Sequence, residues 1–169
     1  MRLIKIPFTI FITLMCFSCS IKYSFTGASI STETKSFQVN YFQNNSTLIE
    51  PGIDRDFTNK LIDLLINQTN LELVKSKGDL IFDGEIVEYR ISPTTATANN
   101  TAAQNRLTIG INVRFFDKND SESDFEKRFS FYYDFPANNQ LIGSQKETAV
   151  DEIFERITQD IFNEALAKW

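Results

Sequence analysis

There is no histidine in this chain of 169 residues. A Ser-His-Asp or Cys-His nucleophile is therefore excluded, and so are the common zinc sites built on imidazole. Cysteine occurs only at Cys16 and Cys19, close to the start, so the body of the chain has no thiol for an internal disulfide. The six glycines lie at 27, 52, 78, 84, 110 and 143. They are too scattered for a phosphate-cradling loop or a dinucleotide fingerprint. Positive charge is scarce as well, with 17 Lys+Arg against 22 Asp+Glu and a net charge of −5. An acidic chain with no basic stripe is not expected to bind nucleic acid.

What is present begins with a leader. Arg2 and Lys5 precede an apolar run over residues 6–17, the pattern of a secretory signal. The run is too short for a membrane-spanning helix, which needs about 20 residues. It ends in Cys16-Phe17-Ser18-Cys19. Ser18 is the small residue a lipoprotein signal peptidase requires before the cysteine it lipidates, whereas Met15 before Cys16 is too bulky. Cleavage of residues 1–18 would leave Cys19 first, and acylation there is favoured over a free or intermolecularly bridged thiol. Each buried CH₂ of the attached chains contributes about 0.8 kcal/mol, and two or more chains anchor stably. Loss of Arg2 and Lys5 moves the net charge from −5 to −7. No aspartate follows Cys19 directly, and no acidic run follows it either. The absence of both sorting signals favours the periplasmic face of an outer membrane.

Residues 19–35 read as a lipidated leader and 36–169 as one α+β domain. Phe37, Val39 and Tyr41 alternate with Gln38 and Asn40, which predicts a strand over 36–42. Apolar residues at helical spacing predict a helix over 54–68, with Asp54 as its N-cap. Residues 71–74 read as a short extended piece. A strand over 80–92 follows, with Gly84 as a candidate bulge. Residues 92–104 are low in complexity and read as a mobile loop. Strict alternation then predicts strands over 106–117 and 124–135. Val150, Ile153, Phe154, Ile157, Ile161 and Ala165 form one stripe of a helix over 146–167. The order β-α-β-β-β-α implies a two-layer sandwich: a four-stranded, mostly antiparallel sheet with two helices on one face.

Candidate chemistry is sparse. Asp83 with Glu85, or Asp79 with Glu88, are the carboxylate pairs that could act on a glycan. Solvated strand faces place acids the same way, and nothing converges on them. No catalytic site, metal or cofactor is expected, and the chain reads as a non-enzyme. Aromatic side chains at 129–135 fit core packing better than a carbohydrate platform. On the sheet face without helices, Phe42, Phe116 and Tyr132 with Arg106, Arg114 and Arg128 are residue types enriched at protein interfaces.

Tyr23-Ser24-Phe25-Thr26-Gly27-Ala28-Ser29-Ile30 follows the lipobox. Gly78-Asp79-Leu80-Ile81-Phe82-Asp83-Gly84-Glu85-Ile86 and Asn105-Arg106-Leu107-Thr108-Ile109 come later. In this order and spacing they resemble the LptE family of lipopolysaccharide-assembly lipoproteins. The resemblance runs from Cys19 to Trp169 and implies a non-enzymatic role. An LptE-like protein sits in the lumen of a large LptD-type β-barrel, helps it fold, and contacts the lipopolysaccharide that the pair inserts into the outer leaflet. Basic loop residues serve that contact in relatives. The corresponding loop here has none, so its flanks Arg90 and Arg106, with Lys146, are the substitutes. A pilotin-like chaperone for another outer-membrane complex and a surface glycan-binding lipoprotein are the alternative readings.

Overall fold

The computed structural model describes residues 30–96 and 102–167. The lipobox, Cys19 and the motif at 23–30, except Ile30, lie outside the described residues. In chain order the elements are β1 (Ser36–Val39), β2 (Gln43–Asn44), α1 (Ile53–Gln68), β3 (Glu72–Leu73), β4 (Leu80–Ala96), β5 (Ala102–Asp117), β6 (Phe125–Pro136) and α2 (Gly143–Leu166). A single 3₁₀ turn, Ser121–Ser123, precedes β6.

The α+β class and the two helices stand, but the sheet has six strands rather than four and is mixed. Its order is β3-β1-β4-β5-β6, with β2 beside β4. β1 runs parallel to both β3 and β4, and β2 parallel to β4. Only the β4-β5-β6 meander is antiparallel. Side-chain alternation reports which face is buried but not the direction of a neighbour. The parallel pairs come from β1-α1-β3, in which the chain must cross over through a helix.

Of the strand expected over 36–42, β1 takes Ser36–Val39, and a second short strand, β2, follows at Gln43–Asn44. They follow the same line along β4, against Leu80–Phe82 and then Glu85–Ile86. Between them the chain turns Phe42 inward, where it is fully buried. That overturns its expected place on the open face. Its ring meets Phe57 of α1 edge-on at 5.1 Å, and Phe57 meets Phe154 of α2 at the same distance. Such pairs contribute about 0.5–1.5 kcal/mol each beyond burial.

Gly84 is not a bulge. It pairs in register with Val113, and the irregularity lies between Ile86 and Glu88. Its role is close approach: a Cβ there would sit 2.1 Å from the Asn112 carbonyl oxygen and 2.5 Å from the Phe42 ring. The glycine makes room for the phenylalanine that joins the sheet to α1.

Asp54 is not the N-cap of α1 either. Gly52, at φ +85°, starts the helix, and its carbonyl accepts from the Asp56 amide. Asp54 and Asp56 stand in the first turn, where the helix dipole favours negative charge. At the other end the extended Thr69 stops α1, its hydroxyl donating to the Leu65 carbonyl.

Of the mobile loop expected over 92–104, residues 97–101 lie outside the described residues, and the remainder is ladder, since β4 and β5 stay paired to Ala96 and Ala102. Small β-branched threonines tolerate the extended backbone even where no core rewards it. Both helices pack on one face of the sheet. The core between the layers is made by Phe37, Phe82, Ile86, Leu107, Ile109, Ile111, Val113 and Phe115 from the sheet and Leu61, Leu65, Ile153, Ile157 and Ile161 from the helices, all essentially inaccessible.

Candidate functional site: the open face of the sheet

The alternate residues of β4, β5 and β6 turn away from the helices. Along β5 these are Arg106, Thr108, Gly110, Asn112, Arg114 and Phe116, flanked by β4 and β6 in the observed register. Cross-strand neighbours on one face interact directly, and here the register places opposite charges together. Arg106 donates to both carboxylate oxygens of Asp134, at 2.7 and 2.8 Å, and lies flat over the Tyr132 ring, 3.5 Å from its centre. Arg114 donates twice to Asp83, at 3.0 and 2.8 Å, with Glu85 4.0 Å away. Glu88 receives Arg128 at 2.5 Å and Arg90 at 2.8 Å, while Arg90 also reaches the Ser92 hydroxyl.

The pairing holds each charge in place. Asp134 lies below the usual carboxylate range, first because of the Arg106 hydrogen bonds. Arg106 and Arg114 are held further into their charged form, chiefly by their bonds to Asp134 and Asp83. Around this ladder Phe116 and Tyr132 remain 45% and 46% exposed. The result is a self-neutralised surface with two aromatic anchors.

Five of the six residues expected on this face are there: Phe116, Tyr132, Arg106, Arg114 and Arg128. Arg90 also shares it, on the strand next to that of Arg106, with Arg90 opposite Thr108 and Arg106 opposite Ser92. Lys146 does not join them. It belongs to α2, on the helix layer, and donates to Glu50 at 2.8 Å.

The carboxylates considered for chemistry all have structural partners. Asp83 and Glu88 are taken by arginines, and Glu85 accepts from the Asn45 amide at 2.7 Å. Asp79 accepts from the backbone amides of Lys35 and Ser36 and from the Ser36 hydroxyl. Those amides, Lys35 first, hold its carboxyl below the ordinary range. Gly78 beside it is buried, and a Cβ there would lie 2.8 Å from the Gln38 nitrogen. The Gly78-Asp79 motif therefore latches the start of β1 onto β4. Among the described residues no cluster of three or more Asp, Glu or Cys is placed to hold a metal. No described helix is long and apolar enough to cross a membrane.

A model of the LptE family, lipopolysaccharide-assembly, matches residues 34–165. The chain belongs to the LptE family. The match spans the whole two-layer domain, including the Gly78-Asp79 latch and the charged ladder. Comparison with curated proteins gives no match. Among solved structures, hypothetical protein CT253 from Chlamydia trachomatis is similar in fold, with a TM-score of 0.55 and 10% identity. The alignment covers 80% of this chain and 99% of that one. Uncharacterized lipoprotein B from Nitrosomonas europaea also has a TM-score of 0.55, at 11% identity, covering 86% of this chain and 88% of its own. With so little identity, what is shared is the fold. The LptE family is a family of non-enzymatic lipoproteins.

Proposed function

We propose that this LptE-family protein is an outer-membrane lipoprotein, cleaved before Cys19 and acylated there, that partners an LptD-type β-barrel. In this reading it supports assembly of the barrel and works with it to insert lipopolysaccharide into the outer leaflet. The observation that carries the proposal is the family match over residues 34–165. The open sheet face fits a binding role, because exposed Phe116 and Tyr132 stand beside arginines whose charge is already balanced. Such a surface can be covered without stranding an unpaired charge, which would be costly to bury. Any acyl anchor lies in sequence before the domain, so the fold itself needs no membrane-spanning helix.

We assign the glycolipid contact to Arg90 and Arg106, whose guanidinium groups suit phosphate or carboxylate. Lys146 belongs to α2 on the helix layer and does not stand beside them. Affinity isolation of the tagged full-length protein from detergent-solubilised outer membranes tests the partnership. A large barrel recovered in stoichiometric amount is the expected result. Recovery alone, or with a secretin-type complex, contradicts it and favours a pilotin-like role.

A further inference from the structure

β6 is the last strand of the sheet. Its inner side pairs with β5 along its whole length, and among the described residues no strand pairs with its outer side. This edge is twelve residues long, whereas β3 at the opposite edge has two. An open edge recruits other strands, and proteins blunt it with charge, proline or a covering segment. Here Glu126, Lys127 and Arg128 protect only the first part, and Pro136 closes the strand. Between them Phe129-Ser130-Phe131-Tyr132-Tyr133 carries no charge and is rich in strand-forming aromatics. A groove of about 600 Å³ lies beside the strand, lined by residues 127–130 of β6 and by Asp160, Asn163 and Glu164 of α2. Consecutive strand residues point to opposite faces, so the groove follows the edge itself. Phe131 and Tyr133, on the helix side, are only partly buried.

The chain ahead of the domain is led to this edge. Residues 31–34 form a turn closed by the Thr34 amide on the Ser31 carbonyl, so the chain reverses before it enters β1. The Thr34 hydroxyl accepts from the Asn119 side chain, in the turn that precedes β6. Ile30 packs against the core. The residues from Cys19 to Ser29 number eleven and span about 36 Å when extended, against about 40 Å for β6. Within them Ile21, Tyr23 and Phe25 alternate with Lys22, Ser24 and Thr26. That is the period of a strand with one apolar face.

We propose that residues 20–26 add to the outer edge of β6 as a seventh strand, antiparallel to it. The direction follows from the turn at 31–34: the leader runs toward the start of β1, and β6 runs away from that end, as β1 and β4 do. Counting back from Ile30 and forward from Asp124 sets Phe25 beside Phe129, Tyr23 beside Phe131 and Ile21 beside Tyr133. The apolar face of the leader then covers the half-buried rings of β6, and Ser24 falls beside Ser130 on the open face. A second copy or a strand of another protein would compete for the same edge. The leader has the advantage of its covalent link, which acts as an effective concentration of about millimolar order. The inference goes beyond the function proposed above, and only one consequence rests on that reading. With the lipid on Cys19, the tether leaves the domain near Pro136, so this strand sets which end of the domain faces the membrane.

The test uses the full-length lipoprotein purified in detergent, with no partner present. Ser24→Cys/Ser130→Cys should form an intramolecular disulfide in most chains under mild oxidation. Ser24→Cys/Glu72→Cys, which offers an equally exposed position on the β3 edge, should give at most a tenth of that yield. Amide hydrogen exchange supplies a second readout that needs no new bond. Tyr23→Pro/Phe25→Pro removes two amide donors from the leader without touching the folded domain. It should speed exchange of the outward amides over 129–133 at least tenfold and leave β4 unchanged. Equal disulfide yields at the two edges, or exchange over 129–133 that the prolines leave unchanged, overturn the proposal. Disulfides between chains assign the edge to a second copy and overturn it as well. Neither readout involves the barrel, so the proposal can fail while the function tested by affinity isolation stands, and the reverse.

Discussion

The two faces of β5 are made by the same sixteen residues and are held together in different ways. Toward the helices, Leu107, Ile109, Ile111, Val113 and Phe115 are fully buried. Toward the open side, Arg106 and Arg114 find Asp134 and Asp83 on the flanking strands. On the buried face, stability comes from removing large apolar area from water, about 25 cal/mol per Å². On the open face, exposed ion pairs contribute little, typically below about 1 kcal/mol. What they supply is registry and a neutral surface. One face makes the fold, and the other is free to change for a partner.

Substitutions should divide along the same line. The largest effect is expected from Phe57→Ala, which removes both edge-on contacts, with Phe42 and Phe154. A loss of about 3–5 kcal/mol is the usual range for a buried phenylalanine, read by urea denaturation of the detergent-solubilised protein. Gly84→Ala comes next, because its methyl would meet a backbone carbonyl that cannot rotate away. Overpacking of that kind costs about 1–3 kcal/mol or more, and the midpoint of the same titration reports it. Arg128→Ala on the open face should change stability by no more than about 1 kcal/mol. Equal losses from Phe57→Ala and Arg128→Ala would erase the distinction between the faces.

The smallest effect concerns acid. Asp79, held by the Lys35 amide and the Ser36 hydroxyl and amide, and Asp134, held by Arg106, both titrate below the ordinary aspartate range in the folded protein. In the unfolded chain they bind protons at the ordinary value, so their contribution is complete above that value. It is lost as pH falls from there through the lower, folded-state values. Stability should therefore decline below about pH 4. Asp79→Asn should flatten part of that decline in pH-dependent thermal melts. An unchanged slope would mean that the Lys35 and Ser36 amides do not hold the carboxylate in its charged form.

Much of the buried face was legible in the sequence. Alternation along 107–115 and the stripe from Val150 to Ala165 each carry their own period, and that period decides what is buried. The positions that misled are those where a tertiary neighbour outweighs local pattern. Phe42 continues no alternation once the chain turns inward between β1 and β2. Gly84 reads as a bulge until Phe42 is seen beside it. Direction of pairing leaves no periodic trace, so the parallel pairing of β1, β2 and β3 was not foreseen.

On the open face the residue types were visible, and five of the six residues expected there are found there. Their pairing was not, because Arg114 meets Asp83, and Glu88 joins Arg128 to Arg90, only through a register fixed by the core. Lys146 already stood apart from Arg106 in the sequence, at the start of the helix expected over 146–167, and the structure keeps it on that layer.

The most direct test of the proposed role in lipopolysaccharide export is depletion of the protein in cells that make it, with outer-leaflet lipopolysaccharide and folded barrel measured together. The account predicts that both fall, and that lipopolysaccharide accumulates inside the outer membrane. Unchanged surface lipopolysaccharide with normal barrel levels would contradict it, whatever the fold.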